Sequence, residues 1–130
     1  MHQSSKSTQH APTLVSEPAA LAAVVAPQGI YAGTSGWAYP QWKPAFYPAK
    51  LPSKRFLEHY AQRLNAVEIN YTFRRLPSLT TLESWVNASP AGFVFGVKAH
   101  MRITHIQKLK PSEFTEVFFR AIDPLRSAGR

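Results

Sequence analysis

The sequence predicts an α/β fold in which three short strands are each followed by a helix. Two observations lead to this prediction. From residue 30 onward, short apolar runs typical of strands alternate with segments whose apolar residues recur every three or four positions, as on one face of a helix. Because strands that alternate with helices are joined by crossover connections, we expect the strands to be parallel.

The first strand and helix lie in residues 30–65. The segment IYAGTSGW predicts a strand that ends in Gly, Thr and Ser. The aromatic, proline-rich loop AYPQWKPAFYPAKLP follows, and it exceeds the roughly 4–6 residues that are usual between elements, so it is a candidate functional loop. Behind it, SKRFLEHYAQRLN has apolar residues at helical spacing, and Ser53 is the expected N-cap.

The second strand is predicted over residues 66–73, with the sequence AVEINYTF. Apolar residues alternate there with Glu68, Asn70 and Thr72, so a strand would send the polar set to one face and the apolar set to the other. A polar face on an otherwise apolar strand is the first indication of a functional site.

The remaining elements follow the same order. SLTTLESWVNAS predicts a helix capped by Ser78 and ended by Pro90, and GFVFGVKAH predicts the third strand. SEFTEVFFRAIDPLR predicts a helix that begins at Ser112 and is interrupted late by Pro124. Three aromatic residues of these helices are expected in the core: Trp85, Phe118 and Phe119.

Composition separates the first 29 residues from the rest. They are rich in Ser, Gln, Ala and Pro, lack aromatic residues, and carry only Lys6 and Glu17 as charges, which predicts a disordered leader. The apolar run from Ala19 to Ala26 is far short of the roughly 20 residues of a membrane span, so no membrane partner is expected. Cytoplasm is the default location.

The net charge of +8 therefore belongs to residues 30–130. Such a charge favours anionic partners, including phosphate esters and nucleic acid. The sequence contains no cysteine, which excludes disulfides, thiolate metal sites and a cysteine nucleophile.

Five separated motifs follow one another along the chain. They are GTSGW at 33–37, FYP at 46–48, VEIN.TF..LPS at 67–78, FVFGVKA at 93–99 and TH...L at 104–109. Together they resemble the YecE-like family, a domain of unknown function numbered 72. The resemblance implies a TIM-type (β/α)8 barrel but no settled activity. Because such barrels have eight units and about 250 residues, residues 30–130 are expected to form only the first three βα units, as the N-terminal portion of a truncated barrel.

In a TIM-type barrel the carboxyl ends of the strands and the loops after them build the site. The candidate catalytic residues are Glu68 and Lys98, as an acid–base pair or electrostatic clamp, with a buried ion pair of purely structural role as the alternative. Arg75, with its neighbour Arg74, is expected to clamp a phosphate or to form a solvated basic pair. The candidate ligand-binding residues are Ser35, Trp37, Asn70, Thr72, Arg75, His100, Thr104 and His105.

His100 and His105, with Glu68, offer nitrogen and oxygen donors of the kind that bind zinc or manganese. The two histidines are five residues apart outside a tight ligand motif, so no metal site is predicted and the cofactor is unknown.

The function expected from these observations is binding of a small anionic or phosphate-bearing ligand at the strand ends, with the reaction unknown. One alternative is nucleic-acid binding through the charge and the aromatic loop. Another is a truncated product without function. Whether the protein is an enzyme, and its oligomeric state, stay open.

Overall fold

The computed structural model describes residues 29–130, so the predicted leader lies outside the described residues except for Gly29. The helices and strands are, in order, α1 (Phe56–Ala61), β1 (Ala66–Ile69), α2 (Leu79–Asn87), β2 (Val94–Val97) and α3 (Glu113–Ser127). Short 3-10 turns occupy Pro40–Trp42, Ser53–Arg55 and Tyr71–Phe73, and a π-helical turn covers Arg102–Ile106. In this part of the chain, each helix is too short or too polar to cross a membrane.

The sheet is parallel, as predicted. Val67 of β1 pairs with Phe95 of β2, and Glu68 with Gly96. On the other side of β1, the N–H of Glu68 donates to the carbonyl of Thr34 (3.0 Å) and the N–H of Gly36 donates to the carbonyl of Glu68 (2.9 Å). The predicted α/β class with parallel strands is confirmed.

The first predicted strand is much shorter than expected, because it joins the sheet through a single bridge between Ser35 and Glu68. The N–H groups of two residues before this bridge bond to side chains instead of to a neighbouring strand. The N–H of Ala32 donates to Asn65 Oδ1 (2.7 Å), and the N–H of Thr34 donates to the hydroxyl of Tyr60 (2.8 Å).

The second predicted strand ends at Ile69 instead of Phe73. The hydroxyl of Thr72 donates to the carbonyl of Lys98 (2.7 Å) and lies 3.1 Å from the carbonyl of Ile69, within a 3-10 turn. Thr72 is fully buried. The prediction that Thr72 shares an open polar face with Glu68 and Asn70 is therefore wrong.

The predicted cap at Ser78 is confirmed, and Ser112, the predicted start of the last helix, caps it as well. The N–H of Thr81 donates to Ser78 Oγ (3.2 Å), and the N–H of Thr115 donates to Ser112 Oγ (3.4 Å). Ser53 instead lies in a 3-10 turn, and α1 begins three residues later without a side-chain cap. The helix α3 continues through Pro124 to Ser127 rather than being broken by it.

The core lies between the helices and one face of the sheet. Val67, Ile69 and Phe95 project from that face and pack with Phe56 and Tyr60 of α1. Phe118 is buried as predicted, whereas Phe119 is 58% exposed, since neighbouring residues on a helix point in different directions. Glu68 and Gly96 are exposed on the opposite face, which leaves a polar face turned away from the helices.

Candidate anion-binding site

Three predicted ligand-binding or catalytic side chains come together where the parallel segments end. Asn70 follows β1 directly, and its Nδ2 donates to Ser35 Oγ (2.5 Å). Lys98 follows β2, and its ammonium donates to Asn70 Oδ1 (3.4 Å). The Asn70 amide thus connects a hydroxyl from the first parallel segment to a cation from the third.

Glu68 stands apart from this chain of contacts. Its closest polar partner is Ser35 Oγ, at 3.5 Å from Oε1, and its side chain is exposed. Within residues 29–130 the ion pairs are Arg55–Glu58 and Arg126–Asp123, so the predicted pairing of Glu68 with Lys98 does not form there. The register explains this, because Glu68 lies opposite Gly96, two residues before Lys98.

The ammonium of Lys98 lies over an aromatic ring at the edge of an open pocket. Its Nζ is 5.1 Å from the ring centroid of Phe73, and the guanidinium carbon of Arg74 is 5.9 Å from the same centroid. The pocket has a volume of about 510 Å³. Its lining consists of Asn70, Tyr71, Phe73, Arg74, Arg75 and Lys98.

The charged groups that line this pocket are positive. Arg74, Arg75 and Lys98 belong to its lining, and the part of the chain that the structure describes contributes no carboxylate to it. Like charges held close together repel one another, and a bound anion relieves that repulsion. Guanidinium groups also offer paired N–H donors that match two oxygens of a phosphate or carboxylate.

His105 contacts the Phe73 ring, but neither His105 nor Thr104 lines the pocket. The imidazole of His105 meets the ring edge to face, with centroids 5.3 Å apart. Its Nδ1 is 2.8 Å from Thr104 Oγ1. Of these two predicted ligand-binding residues of the π-helical turn, His105 therefore contacts a pocket residue directly, and Thr104 contacts His105.

Two other predicted ligand-binding residues have structural contacts instead. Nδ1 of His100 accepts a hydrogen bond from the N–H of Arg102 (3.0 Å), and the imidazole packs on Phe114. Trp37 packs against Trp85 and Phe95 at the margin of the core, with ring centroids 5.4 and 6.5 Å away. Neither residue lines the pocket.

His100, His105 and Glu68, which were considered as metal ligands, do not form a cluster. Among the residues whose positions are described, no group of three or more His, Cys, Asp or Glu side chains lies close enough together to hold an ion.

The aromatic loop packs on α1. Tyr47 is fully buried, its ring stacks on Phe56 at 4.0 Å, and its hydroxyl donates to the carbonyl of Trp37 (2.5 Å). Burial, with a smaller contribution from Tyr60, raises the pKa of Tyr47 to about 12. Trp42 stacks in turn on Tyr47 at 5.9 Å. These rings stabilise the loop instead of presenting an open stacking surface.

Sequence reasoning missed Tyr71 and Phe73 as pocket residues. The alternating pattern assigned both to the apolar face of a longer strand, and the 3-10 turn at Tyr71–Phe73 brings them into the pocket instead. The two arginines that follow directly in the sequence were the available signal, because a charged pair makes continuation of a buried strand unfavourable.

Comparison with known proteins identifies the family. The family model described as "Protein of unknown function DUF72" matches residues 31–130. The chain belongs to the DUF72 family. This confirms the resemblance indicated by the five motifs.

Relatives within and near DUF72 are considerably longer than the matched segment. The UPF0759 protein YunF of Bacillus subtilis (strain 168) is 32% identical over 79 residues, which cover 61% of this chain and 27% of YunF. Two crystal structures of a DUF72 family protein from Enterococcus faecalis V583 match with TM-scores of 0.58 and 0.51 at 22% identity. Each match covers 75% of this chain and 35% of that protein. The chain thus spans about a third or less of the length of these relatives.

Proposed function

We propose that this DUF72 protein binds a small anion, such as the phosphate group of an ester, in the pocket formed by residues 70–75 and Lys98. The observation that carries the proposal is the arrangement of Arg74, Arg75 and Lys98 around one pocket that lacks a carboxylate among the described residues. The cations come from the ends of two neighbouring parallel strands, where α/β proteins commonly bind ligands.

Five of the six lining residues have distinct parts in the proposed binding. Arg74 and Arg75 supply planar donor groups for two anion oxygens, and Lys98 supplies a compact positive charge. Asn70 fixes the direction of the Lys98 ammonium through its Oδ1. The ring of Phe73 excludes water on one side, which strengthens the charge interactions.

We further propose that residues 30–130 form the first three βα units of a TIM-type barrel, with the polar sheet face turned toward its centre. The parallel order of the segments supports this, as does the exposure of Glu68 and Gly96 on the face opposite the helices. In that arrangement further strands bring additional side chains to the same end of the barrel.

Isothermal titration calorimetry with inorganic phosphate, at low ionic strength, tests the binding proposal. We expect the double substitution Arg74→Gln and Arg75→Gln to weaken binding by on the order of tenfold or more, because each charge-assisted hydrogen bond is worth about 1.5–3 kcal/mol. Arg120→Gln is the matched control, since Arg120 is exposed on α3 and does not line the pocket. Equal loss in the control and the double variant, or no binding by the folded wild-type protein, would contradict the proposal.

Nucleic-acid binding is the second candidate, supported by the charge of +8. The packing of Tyr47 and Trp42 within the aromatic loop argues against it, because bases need open ring faces for stacking. Affinity for single-stranded DNA measured across salt concentrations tests this candidate, since DNA binding with a steep loss at high salt supports it and the lack of DNA binding at low salt excludes it. A catalytic role of Glu68 and Lys98, and a cytoplasmic location, stay predictions.

A further inference from the structure

The pocket is larger than a simple anion requires. The pocket is open to solvent, and its volume of about 510 Å³ leaves room for a group larger than phosphate. The cationic groups of Arg74, Arg75 and Lys98 can contact only the charged part of such a ligand. The uncharged part must therefore contact the remaining lining, which includes the rings of Tyr71 and Phe73.

The rings of Phe73 and Tyr71 differ in how much of each ring is already in contact with other side chains. Phe73 already has the Lys98 ammonium and the Arg74 guanidinium over its ring, and His105 packs against it. Tyr71 is 47% exposed, and its one aromatic neighbour in the described part of the chain is Trp85, at 6.3 Å with an interplanar angle of 87°. An edge-to-face contact of this kind fixes the orientation of the Tyr71 ring while leaving much of the ring accessible.

The position of Tyr71 in the sequence supports the same reading. The 3-10 turn that ends β1 is anchored by the buried hydroxyl of Thr72, so the backbone on either side is held in place. Tyr71 stands on one side of that anchor, and Phe73 with its cations stands on the other. A fixed turn therefore presents an accessible aromatic ring next to a cluster of positive charge.

We infer that the ligand is a small phosphate ester or related anion whose charged group is joined to a flat aromatic ring, and that Tyr71 is the residue that selects for the ring. This inference rests on the proposed anion binding at the same pocket. The class it describes includes aryl phosphates and mononucleotides. Ring stacking on Tyr71 adds affinity that a puckered, saturated group of equal charge does not obtain.

Two probes separate stacking from charge recognition when both are titrated at a pH high enough for each to be a dianion: phenylphosphonate, which has a flat ring, and cyclohexylphosphonate, which does not. Calorimetric titration of the wild-type protein is expected to show phenylphosphonate binding about threefold to tenfold more tightly. Tyr71→Leu should abolish that preference, whereas Tyr71→Phe should retain it. Tyr31→Leu is the control, because Tyr31 is also an exposed tyrosine but does not line the pocket.

The outcomes distinguish this inference from the proposed function. If wild-type protein binds both phosphonates equally and the arginine double variant weakens both, the inference is overturned while anion binding stands. If wild-type protein binds neither probe nor inorganic phosphate, both are overturned. If Tyr71→Leu weakens both probes equally, Tyr71 has only a structural role and the inference also fails. Should Tyr71→Leu unfold by circular dichroism, the wild-type preference and its retention in Tyr71→Phe decide the question.

Discussion

Thr72 connects the ends of the two strands through a single hydroxyl. It is fully buried and bonds to the carbonyl of Lys98, the residue that supplies one of the pocket cations. The same hydroxyl lies close to the carbonyl of Ile69, where β1 ends. Because buried carbonyls are costly to leave unpaired, this one group contributes both to stability and to the position of Lys98.

Thr72→Val should therefore destabilise the protein by about 1–3 kcal/mol, since valine keeps the shape but leaves the carbonyl of Lys98 without its donor. The free energy of unfolding from urea titration measures the change. Thr80→Val is the control, because Thr80 is exposed near the start of α2 and its hydroxyl makes a solvent-exposed bond to Ser78 Oγ (3.0 Å), so the change should cost less than about 1 kcal/mol. Equal effects of the two substitutions would show that the buried hydroxyl is not important.

Two glycines of the sheet region differ in the space around them. A Cβ at Gly33 would lie 1.9 Å from the carbonyl oxygen of Ala66, whereas a Cβ at Gly96 would find its nearest atom at 3.7 Å. Gly33 thus allows the first segment to approach β1 at a distance that no other residue permits.

Gly33→Ala should cost about 3 kcal/mol or more, because the backbone of β1 must shift to remove the overlap. Gly96→Ala, the matched substitution on the open face, should change the free energy of unfolding by less than about 1 kcal/mol. Urea titration of both variants provides the measurement. A mild effect at Gly33 would mean that the first segment does not lie against β1.

At the scale of elements, the aromatic loop is fastened to α1 through His59. Its Nε2 lies 2.9 Å from the carbonyl of Phe46, and the rings of Phe46 and Tyr47 pack against the imidazole. Burial lowers the pKa of His59 below its usual value of 6.5, the bond to Phe46 acts in the opposite direction, and the charge of Arg63 lowers it slightly further.

The lowered pKa of His59 determines how the stability of the protein changes with pH. Because the folded protein resists protonation of His59 more than the unfolded chain does, stability should fall as pH decreases below about 6.5, and the loss should level off below the folded pKa. His59→Gln cannot titrate and should reduce this dependence. Thermal melts of both proteins between neutral and mildly acidic pH test the expectation, and an identical pH dependence in both would contradict it.

The elements also show what the sequence could predict and where it could not. Ser78 and Ser112 correctly predicted where two helices start, because capping is a local interaction between a side chain and a nearby N–H. The alternation in residues 66–73 predicted a strand that was too long, because the bond between Thr72 and Lys98 joins residues 26 positions apart. A local pattern carries no information about such a partner.

The candidate site shows the same limit. The sequence placed Ser35, Asn70 and Lys98 at strand ends, and the structure brings these three together. It could not indicate that Trp37 and His100 would pack instead against neighbouring rings, because both contacts depend on elements distant in the chain.

At the scale of the whole molecule, the described residues leave much of the sheet uncovered. Within them β2 pairs only with β1, so its second edge is open. Six large apolar side chains are more than half exposed: Ile30, Tyr31, Leu79, Ile106, Leu109 and Phe119. An open strand edge and exposed apolar surface are the features that further units of a barrel would cover.

The 130-residue chain alone should therefore unfold cooperatively but at low temperature, and it should bind the dye ANS while still folded, through these exposed apolar side chains. Circular dichroism and dye fluorescence measure these properties. A folded monomer by size-exclusion chromatography that melts at high temperature and does not bind the dye would contradict the proposal that additional barrel units cover this surface.

We expect the positive charge of the protein, +8, to act through one localised anion site at the strand ends. Amide chemical shifts from two-dimensional NMR spectra, recorded while inorganic phosphate is added to the folded protein at constant ionic strength, show where the anion binds. We expect saturable shifts concentrated at residues 70–75 and at Lys98. Non-saturating shifts spread over the basic residues of the whole surface, with none concentrated at that pocket, would contradict the claim.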